Sequence, residues 1–195
     1  MIVSREISSM PKEGNSLQSS GESIGPGSAE FRHALGHFAT GVTVVTTVTE
    51  DGNLHGLTAN AVTSVSLTPP LILVCIRNTA RSLGVLERRR AFSLHILAEN
   101  QAQIAMAFAS NVDRSSICDW TTTDRGLPLL RDYHMALECT IEEIYPGGDH
   151  GIVLARVCEI HRGNEEAGPL LFYKGKVMSL GAPETRTAVQ QQAAR

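Results

Sequence analysis

Two short segments carry side chains suited to holding charged or polar groups. The first, Arg77-Asn78-Thr79-Ala80-Arg81-Ser82, lies between an apolar run and a helical pattern. At such a junction unpaired backbone N–H groups, the positive end of a helix dipole, a hydroxyl and two guanidiniums converge, which is the make-up of a phosphate site. The same residues also fit a plainer role, with Ser82 or Thr79 capping the helix and both arginines in solvent. The second segment, Gly147-Gly148-Asp149-His150, joins two glycines that permit positive φ to an Asp placed to orient an imidazole. It reads as well as a hairpin turn that happens to contain a histidine.

A third stretch, residues 56–70 (GLTANAVTSVSLTPP), mixes strand formers with small hydroxyl and amide side chains. Small residues admit a ligand close to the backbone, and Thr, Ser and Asn offer short-range donors and acceptors, so the stretch suits a flat ligand with polar edges. An edge strand with a solvated Thr/Ser face has the same composition.

Other chemistries lack their residues. There is no G-x-S-x-G elbow and no H-E-x-x-H, and no Ser or Cys is paired with a base. His33, His37, His55, His95, His134 and His161 are scattered without metal-site spacing and read as ordinary surface or core residues. Glu142-Glu143 and Glu165-Glu166 are adjacent, so they point apart on a strand or lie in a loop. No strand, G-x-G-x-x-G and helix follow in that order, so a nicotinamide or flavin would be held in some way other than the dinucleotide fingerprint.

The elements that position these segments follow from composition and periodicity. A chain of 195 residues, 42% hydrophobic and 19% charged with net charge −3, suits one domain with tails and argues against a nucleic-acid or polybasic membrane partner. With no spanning apolar run and no signal-peptide core at the start, the expected compartment is the cytoplasm. Cys75, Cys118, Cys139 and Cys158 lack C-x-x-C spacing and read as reduced core thiols.

Residues 1–28 are rich in Ser, Gly, Glu and Pro and read as a mobile tail. Ser28 is placed to cap a short amphipathic helix carrying Phe31, Leu35 and Phe38, with Gly41 placed to end it. Residues 42–49 form a strand, Asp51-Gly52 a turn, and Leu54 onward a second strand that continues into the 56–70 stretch. Residues 71–76, LILVCI, suit a strand buried on both faces. A helix over residues 83–90, a strand over 92–97 and a helix over 99–109 carrying Ile104 and Phe108 come next. Residues 111–125, with Trp120, read as an ordered loop. Leu137, Cys139 and Ile141 mark a half-buried strand, residues 145–151 break it, and residues 152–160 resume as its hairpin partner. Residues 169–173 and 177–180 close the pattern, and the Gln/Ala-rich end reads as frayed. Many strands, few short helices and no βαβ rhythm give a mainly β, α+β fold, an antiparallel barrel.

Four segments, taken in order, resemble the flavin reductase family, the small reductase components of two-component flavin monooxygenases. They are residues 38–47 (FATGVTVVTT), residues 58–70, Gly148-Asp149-His150 and residues 169–175 (PLLFYKG). The resemblance covers residues 30–180, and implies a split β-barrel, usually a homodimer, with a domain at 29–182 between tails at 1–28 and 183–195. It places the flavin ring and ribityl chain against Thr58, Ala59, Asn60, Ala61, Val62, Ser64 and Val65. It places the phosphate at Cys75, Ile76, Arg77, Arg81 and Ser82, with Ala107 and Phe108 closing the pocket. Gly147, Gly148, Asp149 and His150 fall to the nicotinamide nucleotide, with Pro169 on the same side. Ala155 departs from the family pattern, since many members carry glycine there, and the tail to Ser28 lies outside it.

The implied activity is an NAD(P)H:flavin oxidoreductase that passes hydride to FMN or FAD and supplies reduced flavin to a separate oxygenase. The cofactors carry the reaction, so no protein side chain is assigned as catalytic and no metal is expected. FMN and FAD, and NADH and NADPH, remain equally open. Two other readings of the same barrel are a non-catalytic flavin-binding protein and a flavin oxidase of the pyridoxine-phosphate-oxidase-like type.

Overall fold

The computed structural model describes residues 25–110 and 118–180. The expected tails, apart from residues 25–28, and part of the expected 111–125 loop lie outside these residues. The described residues form three helices and twelve strands, and every strand pairing is antiparallel.

The Val/Thr-rich segment forms β2 (Thr43–Val48), and the chain returns through Gly52, at φ +77°, as β3 (Leu54–Ala59). Positive φ at Gly52 is what this tight turn requires. β4 (Val62–Leu67) follows after Asn60 and Ala61 alone, then β5 (Pro70–Arg77). α2 (Arg81–Arg89) and β6 (Ala91–Ile96) come next, then α3 (Ala102–Ala109), β9 (Met135–Gly147) and β10 (His150–Arg162). Seven of these strands make one sheet in the order β3-β2-β6-β9-β10-β5-β4.

The two edges of that sheet are consecutive in the chain. Two linking residues span no more than about 10 Å between the flanking Cα atoms, so the sheet is rolled until its edges meet at Asn60-Ala61. There the Cys75 N–H donates to Ala61 O at 3.0 Å. Beyond this corner the edges separate, and the result is the expected split barrel. Its interior is filled by Val45, Ile72, Val74, Ile76, Phe92, Leu94, Cys139, Ile141 and Val153, with Leu83 and Leu86 of α2. A second cluster outside the barrel joins Val42, Val44, Leu97, Phe108, Leu130 and Leu170. It seats α3, the hairpin β7 (Trp120–Thr122) and β8 (Pro128–Leu130), and a small sheet of β1 (Thr40–Gly41), β11 (Leu170–Tyr173) and β12 (Lys176–Ser179).

Several elements differ from expectation. Helix α1 (Ser28–Leu35) is capped by Gly27 with no side-chain bond, so Ser28 is its first residue and not its cap. It ends at Gly36, and Gly41 lies in β1 opposite Leu171. None of its residues is buried, and Phe31, Leu35 and the following Phe38 are 57%, 52% and 73% exposed. β5 is not buried on both faces. Ile72, Val74 and Ile76 face the interior while Leu71, Leu73 and Cys75 stay half-covered, because among the described residues no layer packs directly on the outer side. Residues 120–130 form the β7–β8 hairpin where a loop was expected, and β9 runs on through Tyr145 and Pro146 to Gly147. Proline is tolerated there because β6 pairs β9 only as far as Thr140, leaving Pro146 on a free strand edge.

Candidate functional site

The corner between β3 and β4 forms one wall of a cavity of about 620 Å³. Asn60, Ala61, Val62 and Thr63 line it from the corner, and Leu73, Cys75 and Arg77 line it from β5. Phe172 of β11, Thr40 of β1 and the exposed face of α1, with Phe31, Leu35 and Phe38, close the other side. The cavity is largely apolar, with an amide and hydroxyls in its lining, and suits an aromatic ring with polar edges. Asn60, Ala61 and Val62 of the expected ring set share this cavity with Cys75 and Arg77 of the expected phosphate set. The other expected ring residues are turned elsewhere. Ala59 faces the barrel interior, the Thr58 hydroxyl donates to Ala105 O on α3, and Ser64 and Val65 lie further along exposed β4. Thr58 and Ala59 can offer a ligand their backbone only. Thr40, Thr63, Leu73, Phe172 and α1 were missed, because β1, β11 and α1 lie far from the 56–70 stretch in sequence.

A second cavity of about 680 Å³ opens at the start of α2. Its lining is His55, Gly56 and Leu57 of β3, Thr79, Ala80, Arg81 and Ser82, and Phe108, Ala109 and Ser110. Ala80 is the N-cap, no side chain caps the helix, and its first turn holds no acidic residue. The positive end of α2 is thus left to an external anion. Neither Ser82 nor Thr79 caps the helix. Instead the Ser82 hydroxyl, on a residue only 6% exposed, lies 3.0 Å from His55 Nε2. The expected phosphate set is split by the end of β5. Arg81 and Ser82 line this cavity, Arg77 and Cys75 line the other, and the Ile76 side chain is inside the barrel at 1% exposure. Phe108 forms the floor, and a Cβ on Gly56 would lie 2.8 Å from its ring, so glycine is what admits β3 to this contact. Ala107 is buried and does not line the cavity.

The Gly148-Asp149 turn joins β9 to β10, with Gly148 at φ +69°. It is tied to the end of β5, where Asn78 donates its backbone N–H to Asp149 O at 3.0 Å and its Nδ2 to Gly148 O at 3.1 Å. His150 stands opposite Arg77 in the ladder, so the turn lies at the mouth of the ring cavity. Nδ1 of His150 is 2.8 Å from Asp149 Oδ1. The hydrogen bond from the His150 ring, aided by its charge, holds the Asp149 carboxyl below the usual carboxylate range. With Nδ1–H donating to Asp149, Nε2 is the nitrogen left to meet a ligand. Pro169 does not join this turn. It bridges to Ala98 beside β11, on the far side of the barrel mouth.

One further polar group escaped the sequence reading. Glu138, Glu159 and His161 place ligand-type atoms within 4.8 Å of one another on the outer face of β9 and β10. Glu138 is buried, with Oε1 at 2.8 Å from His161 Nε2. Its Oε2 makes no hydrogen bond but lies 3.4 Å from Arg125 Nε, so a guanidinium already stands where a cation would have to enter. The signal was the alternation of Glu138, Glu159 and His161 along paired strands, hidden by the bulge between Val157 and Glu159. Burial pushes the Cys139 thiol up to about 12, so it is no nucleophile.

A rolled antiparallel sheet with an apolar cavity at the join of its edges, and a cationic cavity at a helix start beside it, is a split barrel. Residues 35–181 match the flavin reductase like domain. The reductase subunit HsaB of a flavin-dependent monooxygenase from Rhodococcus jostii is 36% identical over 165 residues, 84% of this chain and 83% of that one. The NADH-dependent FMN reductase AsuE2 of Streptomyces nodosus subsp. asukaensis is 36% identical over 164 residues, 81% of this chain and 88% of its own. Among solved structures, the NADH:FAD oxidoreductase SgcE6 of Streptomyces globisporus superposes with TM-score 0.75 at 34% identity, covering 83% of this chain and 99% of that one. The chain belongs to the flavin reductase family.

Proposed function

We propose that the protein is an NAD(P)H:flavin oxidoreductase whose two cavities divide one flavin between them. The observation that carries this reading is their arrangement about the end of β5. An apolar ring cavity ends at Arg77, and a cationic cavity begins two residues later at Thr79. The donor set fits the group: small residues and an Asn for the ring, Arg81 and Ser82 with the α2 dipole for the phosphate, and Asp149-His150 at the mouth for the nicotinamide nucleotide. When bound, FMN or FAD accepts at N5 the hydride that C4 of NADH or NADPH gives up. The chain's own work is to hold the two rings face to face and to exclude water from between them. His150 Nε2 holds the nucleotide, the corner at Asn60 and Ala61 borders the ring, and no side chain need move a proton. Both cavities open to solvent, which suits a flavin released to a separate oxygenase, and relatives such as HsaB are named as reductase subunits of monooxygenases.

The functional domain on this reading is residues 29–182, and a second copy completes it. Leu67 and Val65 of β4 are 91% and 48% exposed, and Phe31, Leu35 and Phe38 at α1 are uncovered too, apolar surface that a homodimer would bury. Light scattering tests this: Leu67→Glu with Phe38→Glu is expected to yield monomers, and a wild-type monomer overturns the dimer. Among the described residues no helix is long and apolar enough to cross a membrane. The free thiols Cys75, Cys139 and Cys158, and the need for reduced nicotinamide, favour the cytoplasm.

Anaerobic mixing tests the activity itself. Each of NADH and NADPH is combined with each of FMN and FAD, and the flavin's visible absorbance is followed. Bleaching well above the uncatalysed rate is expected with at least one pair, and the ranking sets both preferences. Flavin binding without bleaching by either nucleotide would leave a non-catalytic flavin carrier.

A further inference from the structure

Among the described residues the cationic cavity is lined by one ionisable side chain besides Arg81. His55, half-buried on β3, brings Nε2 to 3.0 Å from the Ser82 hydroxyl. The two residues are 27 positions apart and meet because β3 passes the first turn of α2. We propose that His55 is a positioning residue for the flavin phosphate. Its Nε2–H donates to Ser82 Oγ, which turns the Ser82 O–H into the cavity as a donor to the anion. This rests on the assignment of the cavity to the phosphate.

The direction of the bond follows from proton counting. A hydroxyl has one proton and two lone pairs. With Nε2 as acceptor, the Ser82 proton points at the ring and a lone pair faces the cavity, which repels an anion. With Nε2 as donor, the Ser82 proton is available to a phosphate oxygen. A neutral imidazole can adopt either form, but an imidazolium can only donate. Phosphate binding therefore selects the donor form and favours the protonated ring. Among the described elements the charges that oppose protonation of His55 are Arg81 and the positive end of α2, which a bound phosphate offsets. β2 and α3 carry no ionisable side chain, and β5 contributes Arg77, which lines the other cavity. α2 contributes Arg81, and its Glu87, Arg88 and Arg89 lie toward the opposite end of the helix. Among the described residues no carboxylate lines the cavity.

Equilibrium binding of FMN and riboflavin, which differ by the phosphate alone, tests the inference in wild type, His55→Ala, His55→Gln, Ser82→Ala, Arg81→Ala and the His55→Ala/Ser82→Ala pair. His55→Ala is expected to weaken FMN about five- to tenfold, the size of one ordinary hydrogen bond, and to leave riboflavin unchanged. His55→Gln, whose amide N–H can still donate, recovers most of that loss at neutral pH. The ratio of wild-type to His55→Gln affinity for FMN rises as pH falls from about 8.5 to about 6, a comparison in which the ligand's own phosphate titration cancels. In the double variant the two losses are less than additive. Wild-type FMN binding by His55→Ala, with Arg81→Ala still selectively weakening FMN, removes His55 and leaves the phosphate site standing. Equal loss of both flavins in His55→Ala makes the residue a support of the fold alone. An unchanged FMN to riboflavin ratio in Arg81→Ala removes the phosphate assignment, and the inference with it.

Discussion

His150 is the residue for which a single substitution separates binding from fold. Its Nδ1 is engaged by Asp149, and the turn that carries it is fixed by Asn78. His150→Ala removes the free Nε2 without disturbing those backbone bonds. It is expected to raise KM for NAD(P)H about tenfold, corresponding to about 1.4 kcal/mol for one lost hydrogen bond, with KM for flavin nearly unchanged. Steady-state kinetics with each substrate varied in turn would remove His150 from the nucleotide site if both constants rose together. Residues of this kind were legible in the sequence because their chemistry is local: Gly148, Asp149 and His150 are contiguous, as are Arg81 and Ser82. His55 was dismissed among scattered histidines because its partner lies on another element. Pro169 was placed beside His150, yet it lies against Ala98, because proximity in a barrel is set by strand order and not by motif order.

At the scale of elements, β3 depends on Gly56. A Cβ there would meet the Val45 carbonyl as well as the Phe108 ring, and Phe108 is only 3% exposed, so neither neighbour has room to retreat. Gly56→Ala is expected to cost about 1–3 kcal/mol by overpacking and, since Gly56 and Phe108 line the cationic cavity, to weaken FMN too. Urea unfolding checks the first effect. A variant as stable as wild type would mean that α3 can shift away from β3. Strand and helix positions were largely readable because their signals are local, as in the Val/Thr-rich run of β2 and the Leu83 and Leu86 stripe of α2. The 56–70 stretch was read as one continuous wall, whereas the chain turns at Asn60-Ala61 and gives β3 and β4 to opposite sheet edges. Only the join, from Asn60 to Thr63, reaches the ring cavity. The apolar LILVCI run could not disclose its half-covered outer side, since hydrophobicity looks the same whether the cover comes from this chain or another.

For the whole molecule, the order of seven strands was beyond local reading, and the residue that most clearly senses it is His95. It sits on β6 with no exposure, its Nδ1 3.2 Å from Val44 O on β2, and its Nε2 accepts the Leu130 N–H of β8 at 3.1 Å. The ring thus joins barrel and hairpin as a neutral imidazole, donor on one side and acceptor on the other. Burial pushes its pKa down to about 4, against the raising effect of the Val44 bond and with help from the nearby His161 charge. In the unfolded chain it returns to about 6.5. Between these values the unfolded state binds more protons than the folded one, so stability rises with pH across that window. His95 therefore imposes no penalty above about pH 6.5, and stability falls as pH drops toward 4, by up to about 3 kcal/mol at the lower end. His95→Gln keeps one donor and one acceptor but cannot titrate. Urea midpoints measured from about pH 4 to 8 should fall more steeply on the acid side for wild type than for His95→Gln, with the two curves parallel above about pH 6.5. Curves parallel throughout the acid range would show that the ring is protonated as readily inside the barrel as outside it, and that the hairpin is not held to the barrel by a neutral imidazole.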